Sequence, residues 1–315
     1  MTVTLCVVFN HPYPDNIPFI KQMYADKFDN IIFVQPFVRS DRDDVVVSHR
    51  GSFNFQGLIF DAIPRLMEIE TDYVVFAQDD CLINPRLTKD NIIEELGVEK
   101  DRPFFGSFLP ISGPIDGWHW MLPTVWRSFY SWSSLVCTGV ENFIKYLPDA
   151  YDAKSRIERN HGVRFSPVTP PLNSNLRYGA VSDASSDTLI SDALVKGLFA
   201  TAPADGIELN YPWLFGMSDF LVMSIDSLER IRQFLGVTAA ASIFAEVAIP
   251  TALAIHHETI SSPSNNKWQL EYTWGTERAA TTRDAITAAF DADVAVIHPV
   301  KLSKNREMVE DLYNR

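Results

Sequence analysis

Apolar runs alternate with amphipathic segments along the first part of the chain. An apolar run at 3–9 ends at the turn-like stretch NHPYPDN. The next apolar residues recur three or four positions apart, as on one side of a helix: Ile17, Ile20, Met23 and Tyr24. The same patterns then predict a strand at 30–37, a short strand at 45–47, a helix at 53–70 and a buried strand at 73–77.

This order is strand, helix, strand, helix, strand, with the short strand at 45–47 inside a loop. Such alternation predicts an α/β fold with a mainly parallel sheet and helices on both faces. Ligands of such sheets bind beyond the carboxyl ends of the strands. The polar residues that follow the predicted strands are therefore candidates for a site: His11, Asp15, Arg39, Asp41, Asp79 and Asp80.

The later part of the chain is less regular. The segment 103–136 is rich in Gly, Pro, Trp and Phe, and the segment 165–206 is loop-like. Beyond them, the patterns predict a strand at 213–224, helices at 225–237 and 242–257, and a last strand and turn at 293–301. No linker divides the chain, so we expect one domain over 1–315 with a variable middle.

Composition narrows the classes of partner. The net charge of −13 argues against nucleic acid, because phosphate backbones need clustered Lys and Arg. Three cysteines without CxxC spacing indicate neither a disulfide framework nor a zinc site, so we expect a cytoplasmic protein. The first residues have no basic leader, and no apolar run is long enough for a transmembrane segment.

Asp79 and Asp80 directly follow the buried strand 73–77 and Gln78. Burying a carboxylate is costly unless it is paired or bound to a cation, and two adjacent carboxylates also repel each other. A divalent cation such as Mg²⁺ or Mn²⁺ relieves both penalties and can also bind substrate phosphates. The alternative is that the two aspartates cap a turn.

The stretch VVFAQDDCLINP resembles the Asp-x-Asp segment of glycosyltransferases with the GT-A fold. Gln78 departs from that pattern, because it stands where the first Asp would be. The resemblance implies a GT-A-like, Rossmann-type mixed sheet. It also implies that Asp80 binds Mn²⁺ or Mg²⁺ and that Asp79 lies near the ribose or the donor sugar. In this interpretation, residues 1–110 form the nucleotide-sugar-binding half and residues 111–315 form the acceptor-binding half with a C-terminal metal-binding tail.

Two later segments extend the resemblance. FAEVAIPTAL is similar to the helix that carries an acidic residue on the acceptor side of the donor sugar, which implies a catalytic role for Glu246; an ordinary buried glutamate paired with an arginine is the alternative. VAVIHPVKLS is similar to the C-terminal element that completes the metal shell, which implies that His298 is a metal ligand and that Lys301 reaches a phosphate. Asp219, in FGMSDFLVMS, would contact sugar hydroxyls or serve as a second candidate base; a structural aspartate is the alternative.

The remaining candidates concern the two substrates. Under the GT-A resemblance, His11, Asp15 and Arg39 lie where the base and the ribose of the donor would bind. Trp118 and Trp120 are candidates for acceptor binding, because sugar rings stack on aromatic faces, although plain core packing is the alternative.

The sequence thus predicts a metal-dependent glycosyltransferase that uses a nucleoside-diphosphate sugar and a hydroxyl of a glycan or another acceptor. A nucleotidyltransferase, a metal-dependent phosphohydrolase acting on nucleotide-sugars, and a non-catalytic carbohydrate-binding protein are the alternatives. The absence of glycine from FNHPYPDN argues against a nucleotidyltransferase, which usually has a Gly-rich phosphate loop there.

Overall fold

The structure, a computed structural model, describes residues 1–51, 54–114, 141–169, 205–206, 208–272 and 282–313. Its strands are β1 (Val3–Val8), β2 (Asn30–Pro36), β3 (Val45–Ser48), β4 (Tyr73–Gln78), β5 (Leu82–Ile83), β6 (Phe104–Phe105), β7 (Leu109–Pro110), β8 (Gly113–Pro114), β9 (Val168–Thr169), β10 (Leu214–Phe215), β11 (Phe220–Ser224), β12 (Gln269–Tyr272) and β13 (Val294–His298). Its α-helices are α1 (Ile17–Tyr24), α2 (Phe55–Glu68), α3 (Ile92–Glu95), α4 (Glu141–Ile144), α5 (Ala150–His161), α6 (Ile225–Ala240), α7 (Ala245–His256), α8 (Arg283–Asp291) and α9 (Leu302–Tyr313). Short 3₁₀ turns lie at Pro14–Asn16 and Pro263–Asn265.

The central sheet has six strands in the order β3-β2-β1-β4-β11-β6. Strands β1 to β4 run parallel, while β11 is antiparallel to both of its neighbours. The predicted α/β fold with a mainly parallel sheet is therefore confirmed. The chain winds from β1 outward to β3 and then returns to place β4 on the other side of β1, so the strand order reverses between β1 and β4.

Helices cover both faces of this sheet. Alternate strand residues such as Val8 and Phe76 belong to a core cluster with α2, α6 and α7, while Val7 and Val75 belong to the opposite cluster with α1, α8 and α9. Because both faces are covered, the strands need apolar residues at almost every position, which explains the continuous apolar runs in the sequence.

A second sheet, of order β12-β13-β5, extends from the end of β4. Strand β13 runs antiparallel to β5, with Val296 opposite Ile83 and Ile297 opposite Leu82. The N–H of Val300 also donates to the carbonyl of Asp80 at 2.7 Å. The far C-terminal part of the chain is thereby attached to the corner that follows β4.

The structure corrects the prediction of one strand over 213–224. This segment forms two strands, β10 and β11, in different sheets. Strand β10 ends just before Gly216, whose N–H donates to the carbonyl of Glu246 at 2.9 Å. Asp219 consequently lies directly before β11 and not inside a strand. The helix predicted at 242–257 begins at Ala245, and α9 follows the last strand where the sequence patterns predict a turn alone.

Across the ranges that the structure describes, no helix has the length and apolar character needed to cross a membrane.

Candidate active site

Asp79 and Asp80 form the corner between β4 and β5, at the carboxyl end of the central parallel strands. The corner is fixed by its backbone, since the N–H of Cys81 donates to the carbonyl of Gln78 at 3.0 Å. The side chain of Gln78 is held by Asn10, which follows the neighbouring strand β1: Asn10 Nδ2 donates to Gln78 Oε1 at 2.5 Å. The pair of aspartates therefore lies where the strand order reverses, which is the usual ligand crevice of such sheets.

Asp80 is almost fully buried and contacts two cationic side chains. His298 Nε2 lies 3.1 Å from Asp80 Oδ1, and the Lys301 ammonium contacts Asp80 Oδ2. Burial by itself would raise the pKa of Asp80, but the hydrogen bond and charge of His298, together with Lys301, outweigh burial and lower this pKa. Asp80 is thus a carboxylate, as a metal ligand must be.

His298 is the last residue of β13 and is 1% exposed. Burial opposes its protonated form, yet the charges of Asp219 and Asp80 prevail and raise the pKa of His298. The ring of Tyr272 stands edge-on to the imidazole, with centroids 6.3 Å apart, because Tyr272 and His298 are partners in the parallel β12–β13 pair. No motif or spacing in the sequence identifies Tyr272 as a residue of this site.

The side chain of Asp219 also lies close to the imidazole of His298. Its Oδ1 lies 3.6 Å from His298 Nε2, and the residue is 4% exposed. Its backbone carbonyl accepts the N–H of Gln78 at 3.0 Å and the thiol of Cys81 at 3.5 Å. Burial is the main cause that raises the pKa of Asp219, and the charge of Asp80 adds to it.

Glu246 lies in the first turn of α7, where a carboxylate is favoured by the helix dipole. The residue is partly buried, and its Oε2 is buried without a hydrogen-bond partner among the described residues. Burial, followed by the charge of Asp219, raises the pKa of Glu246 well above its ordinary value. Both effects disfavour the carboxylate, which is the form that accepts a proton.

The donor atoms at this corner fit a divalent cation. One ligand atom each from Asp80, Cys81 and His298 lies within 4.8 Å of the others. Burial raises the pKa of the Cys81 thiol well above its ordinary value, which disfavours the thiolate. Hard cations such as Mg²⁺ and Mn²⁺ also prefer oxygen ligands to sulfur. Asp80 and His298 remain as an oxygen and a nitrogen donor, which suit Mn²⁺ and similar ions.

Asp79 differs from its neighbour. Burial, and next the charge of Asp80, raises the pKa of Asp79 to about 7. At neutral pH its carboxyl group is therefore protonated in part of the molecules and can donate a hydrogen bond as well as accept one.

The structure does not bring every candidate into this cluster. His11, Asp15 and Arg39 are exposed beyond β1 and β2, and in the described part of the chain no hydrogen bond or ion pair joins them to Asp80, His298 or Lys301. They remain predictions for donor binding. Trp118 and Trp120 lie outside the described residues.

Comparisons with known proteins give little guidance. No protein-family model matches the chain, and no curated protein matches it. Among solved structures, it is similar to the apo structure of the bifunctional glycosyltransferase WbbM, at 10% sequence identity and a TM-score of 0.37, with 100% of this chain and 52% of that chain covered. The chain thus spans about half the length of that structure. A likeness of this size carries no argument about function.

Proposed function

We propose that this chain is a metal-dependent glycosyltransferase that moves a sugar from a nucleoside-diphosphate sugar to a hydroxyl of a glycan acceptor. The observation that carries the proposal is the buried carboxylate of Asp80, which contacts His298 on one oxygen and Lys301 on the other. This group lies at the end of the central strands, where the resemblance to GT-A enzymes places the metal and the diphosphate.

The charge of the protein explains the need for a cation. A chain with a net charge of −13 repels a diphosphate unless positive charge is concentrated at the site. Asp80 and His298 would hold a divalent cation there. Such an ion supplies Lewis-acid stabilisation of the charge that develops on the departing diphosphate.

Lys301 supplies a mobile positive charge beside this position. Its side chain is 57% exposed, although its ammonium contacts Asp80. The long stem lets the ammonium leave Asp80 and bind a phosphate oxygen when the donor arrives. Lys301 would then hold the leaving group next to the cation.

Glu246 is the first candidate for the general base if the reaction inverts the anomeric centre. A base must be able to take the proton of the acceptor hydroxyl at working pH. Burial and, after it, the charge of Asp219 oppose ionisation of Glu246, and positive charge brought near Asp219 would lessen the second effect. If the reaction retains configuration, no such base is required, and Glu246 would position the sugar.

A panel of nucleotide-sugars, each tested with and without Mn²⁺, examines the proposal. Thermal unfolding of the protein should shift upward with one class of donor, and the shift should require Mn²⁺, because ligands that bind the folded state stabilise it. The donor identified in this way is then incubated with mono- and disaccharide acceptors, and release of the nucleoside diphosphate is followed.

Transfer products that appear with an acceptor sugar support the proposal. Equal release of phosphate or nucleotide with and without an acceptor would instead indicate a phosphohydrolase. Binding of free sugars without any nucleotide-sugar or Mn²⁺ would indicate a carbohydrate-binding protein. Either of these results overturns the proposal.

A further inference from the structure

We infer that Asp219 is a third protein ligand of the divalent cation, beside Asp80 and His298, and not a second candidate base. This inference rests on the proposed metal-dependent function and deepens it. Three features of the site support it: the separation of the donor atoms, the burial of Asp219 and the hydrogen bonding of its backbone.

The donor atoms have the spacing of neighbouring ligands. His298 Nε2 lies 3.1 Å from Asp80 Oδ1 and 3.6 Å from Asp219 Oδ1. An octahedral ion with bonds of about 2.1 Å holds neighbouring ligand atoms about 3.0 Å apart. Both separations from the imidazole are close to this value. The cluster whose ligand atoms all lie within 4.8 Å of one another contains Asp80, Cys81 and His298, so the carboxylate of Asp219 must move closer to Asp80 to join it.

The carboxylate of Asp219 has few other partners. Its Oδ2 is buried and has no hydrogen-bond partner among the described residues, while the residue is 4% exposed. The Lys301 ammonium contacts Asp80 and does not form an ion pair with Asp219 within the described ranges. The ionised form of a buried carboxyl group without a partner is costly, and a cation beside His298 would stabilise that form.

The central sheet positions Asp219 rigidly. The residue directly precedes β11, which pairs antiparallel with β4 so that Phe220 lies opposite Ala77. Its carbonyl accepts the N–H of Gln78, two residues before Asp80. Ligands held by paired strands keep their geometry better than ligands on loops.

The resulting donor set contains two carboxylates and one imidazole. Imidazole suits first-row transition metals, whereas Mg²⁺ prefers oxygen ligands and water. The set therefore favours Mn²⁺ over Mg²⁺, so Mn²⁺ should bind more tightly to the wild-type protein in the absence of nucleotide.

Titration calorimetry with MnCl₂ alone tests the inference on the full chain without nucleotide or turnover. The variants are Asp219→Asn, Asp80→Asn and, as a matched control, Asp44→Asn, which neutralises a partly buried carboxylate paired with Lys21 and Arg42. Mutation of a residue that hydrogen-bonds to a metal ligand typically lowers the metal affinity about 10- to 100-fold. Loss of a ligand itself should lower the affinity for Mn²⁺ at least as much. Asp219→Asn and Asp80→Asn should show this loss, and Asp44→Asn should bind Mn²⁺ like the wild type.

Thermal unfolding without metal establishes that Asp219→Asn is folded, and Asp219→Ala repeats the measurement if it is not. The inference is overturned if a folded Asp219 variant binds Mn²⁺ with wild-type affinity, or if the wild type binds no Mn²⁺. The proposed function fails in a different way: Mn²⁺ binds and depends on Asp219, which supports the inference, but no nucleotide-sugar binds or reacts.

Discussion

Nε2 of His298 lies 3.1 Å from Oδ1 of Asp80, and both side chains are almost fully buried although the two residues are far apart in the sequence. The contact exists because β13 pairs antiparallel with β5, the strand that begins just after Asp80. An imidazole and a carboxylate that meet in this way at the carboxyl end of the central strands are the core of the proposed metal site.

Removal of the Asp80 carboxylate should abolish metal-dependent donor binding. In Asp80→Ala, His298 and Lys301 lose their shared partner, and the cation loses a ligand. Calorimetry with Mn²⁺ and the nucleoside diphosphate of the preferred donor should detect little or no binding, while circular dichroism remains that of the folded protein. Asp226→Asn is the control, because Asp226 is half-exposed in an ion pair with Lys100. Wild-type affinity in Asp80→Ala would contradict the assignment.

Glu246→Gln should reduce turnover much more than donor affinity. Loss of a general base typically costs about 10²- to 10⁴-fold in rate, whereas the isosteric amide keeps the shape of the site. Steady-state kinetics with separate measurement of donor binding distinguishes the two effects. Glu258→Gln is the control, because Glu258 is exposed just beyond the other end of α7. If kcat and donor affinity both keep their wild-type values in Glu246→Gln, the residue is structural.

Lys301→Met should have opposite effects on the two ligands. Without the ammonium, the cation no longer competes with Lys301 for Asp80 Oδ2, so Mn²⁺ alone should bind more tightly. The nucleoside diphosphate should bind more weakly in the presence of Mn²⁺, since a phosphate contact is lost. Both affinities are measured by calorimetry, with Lys304→Met, one turn further along and exposed, as the control. A change of the same sign in both affinities would argue that Lys301 is only structural.

His257 should make the protein less stable in acid. Burial lowers the pKa of His257 from 6.5 to about 4, and its Nδ1–H donates to the carbonyl of Asp101 at 3.2 Å. Between these two values the unfolded chain binds the proton and the folded protein does not, so the free energy of unfolding falls as the pH falls from about 6.5 to 4. The shift corresponds to about 3 kcal/mol.

Urea unfolding of the wild type and of His257→Asn at pH 7 and pH 4 measures this contribution. The wild type should lose more stability than the variant, because asparagine has no proton to gain. His49→Asn is the control, since His49 is exposed. An equal loss in the wild type and in His257→Asn would show that other groups cause the acid sensitivity.

The sequence by itself determined the central architecture and the position of Asp80. The apolar runs at β1, β2 and β4, separated by an amphipathic helix such as α2, required a parallel sheet with both faces covered. A polar pair directly after β4 must then lie at the carboxyl end of the strands. These inferences rest on periodicity and spacing, which are local properties of the chain.

The resemblance already implied that His298 joins Asp80, whereas only the tertiary structure decided that Asp219 and Tyr272 lie beside the same imidazole. The direction of β11 places Asp219 at the end of β4, and the pairing of β13 with β5 and β12 places His298 beside Asp80 and Tyr272. Strand direction and pairing between distant segments follow from how the whole core packs, and no local pattern of hydrophobic residues encodes them. For this reason the sequence identified Asp219 as a candidate but did not reveal that it contacts the same imidazole as Asp80.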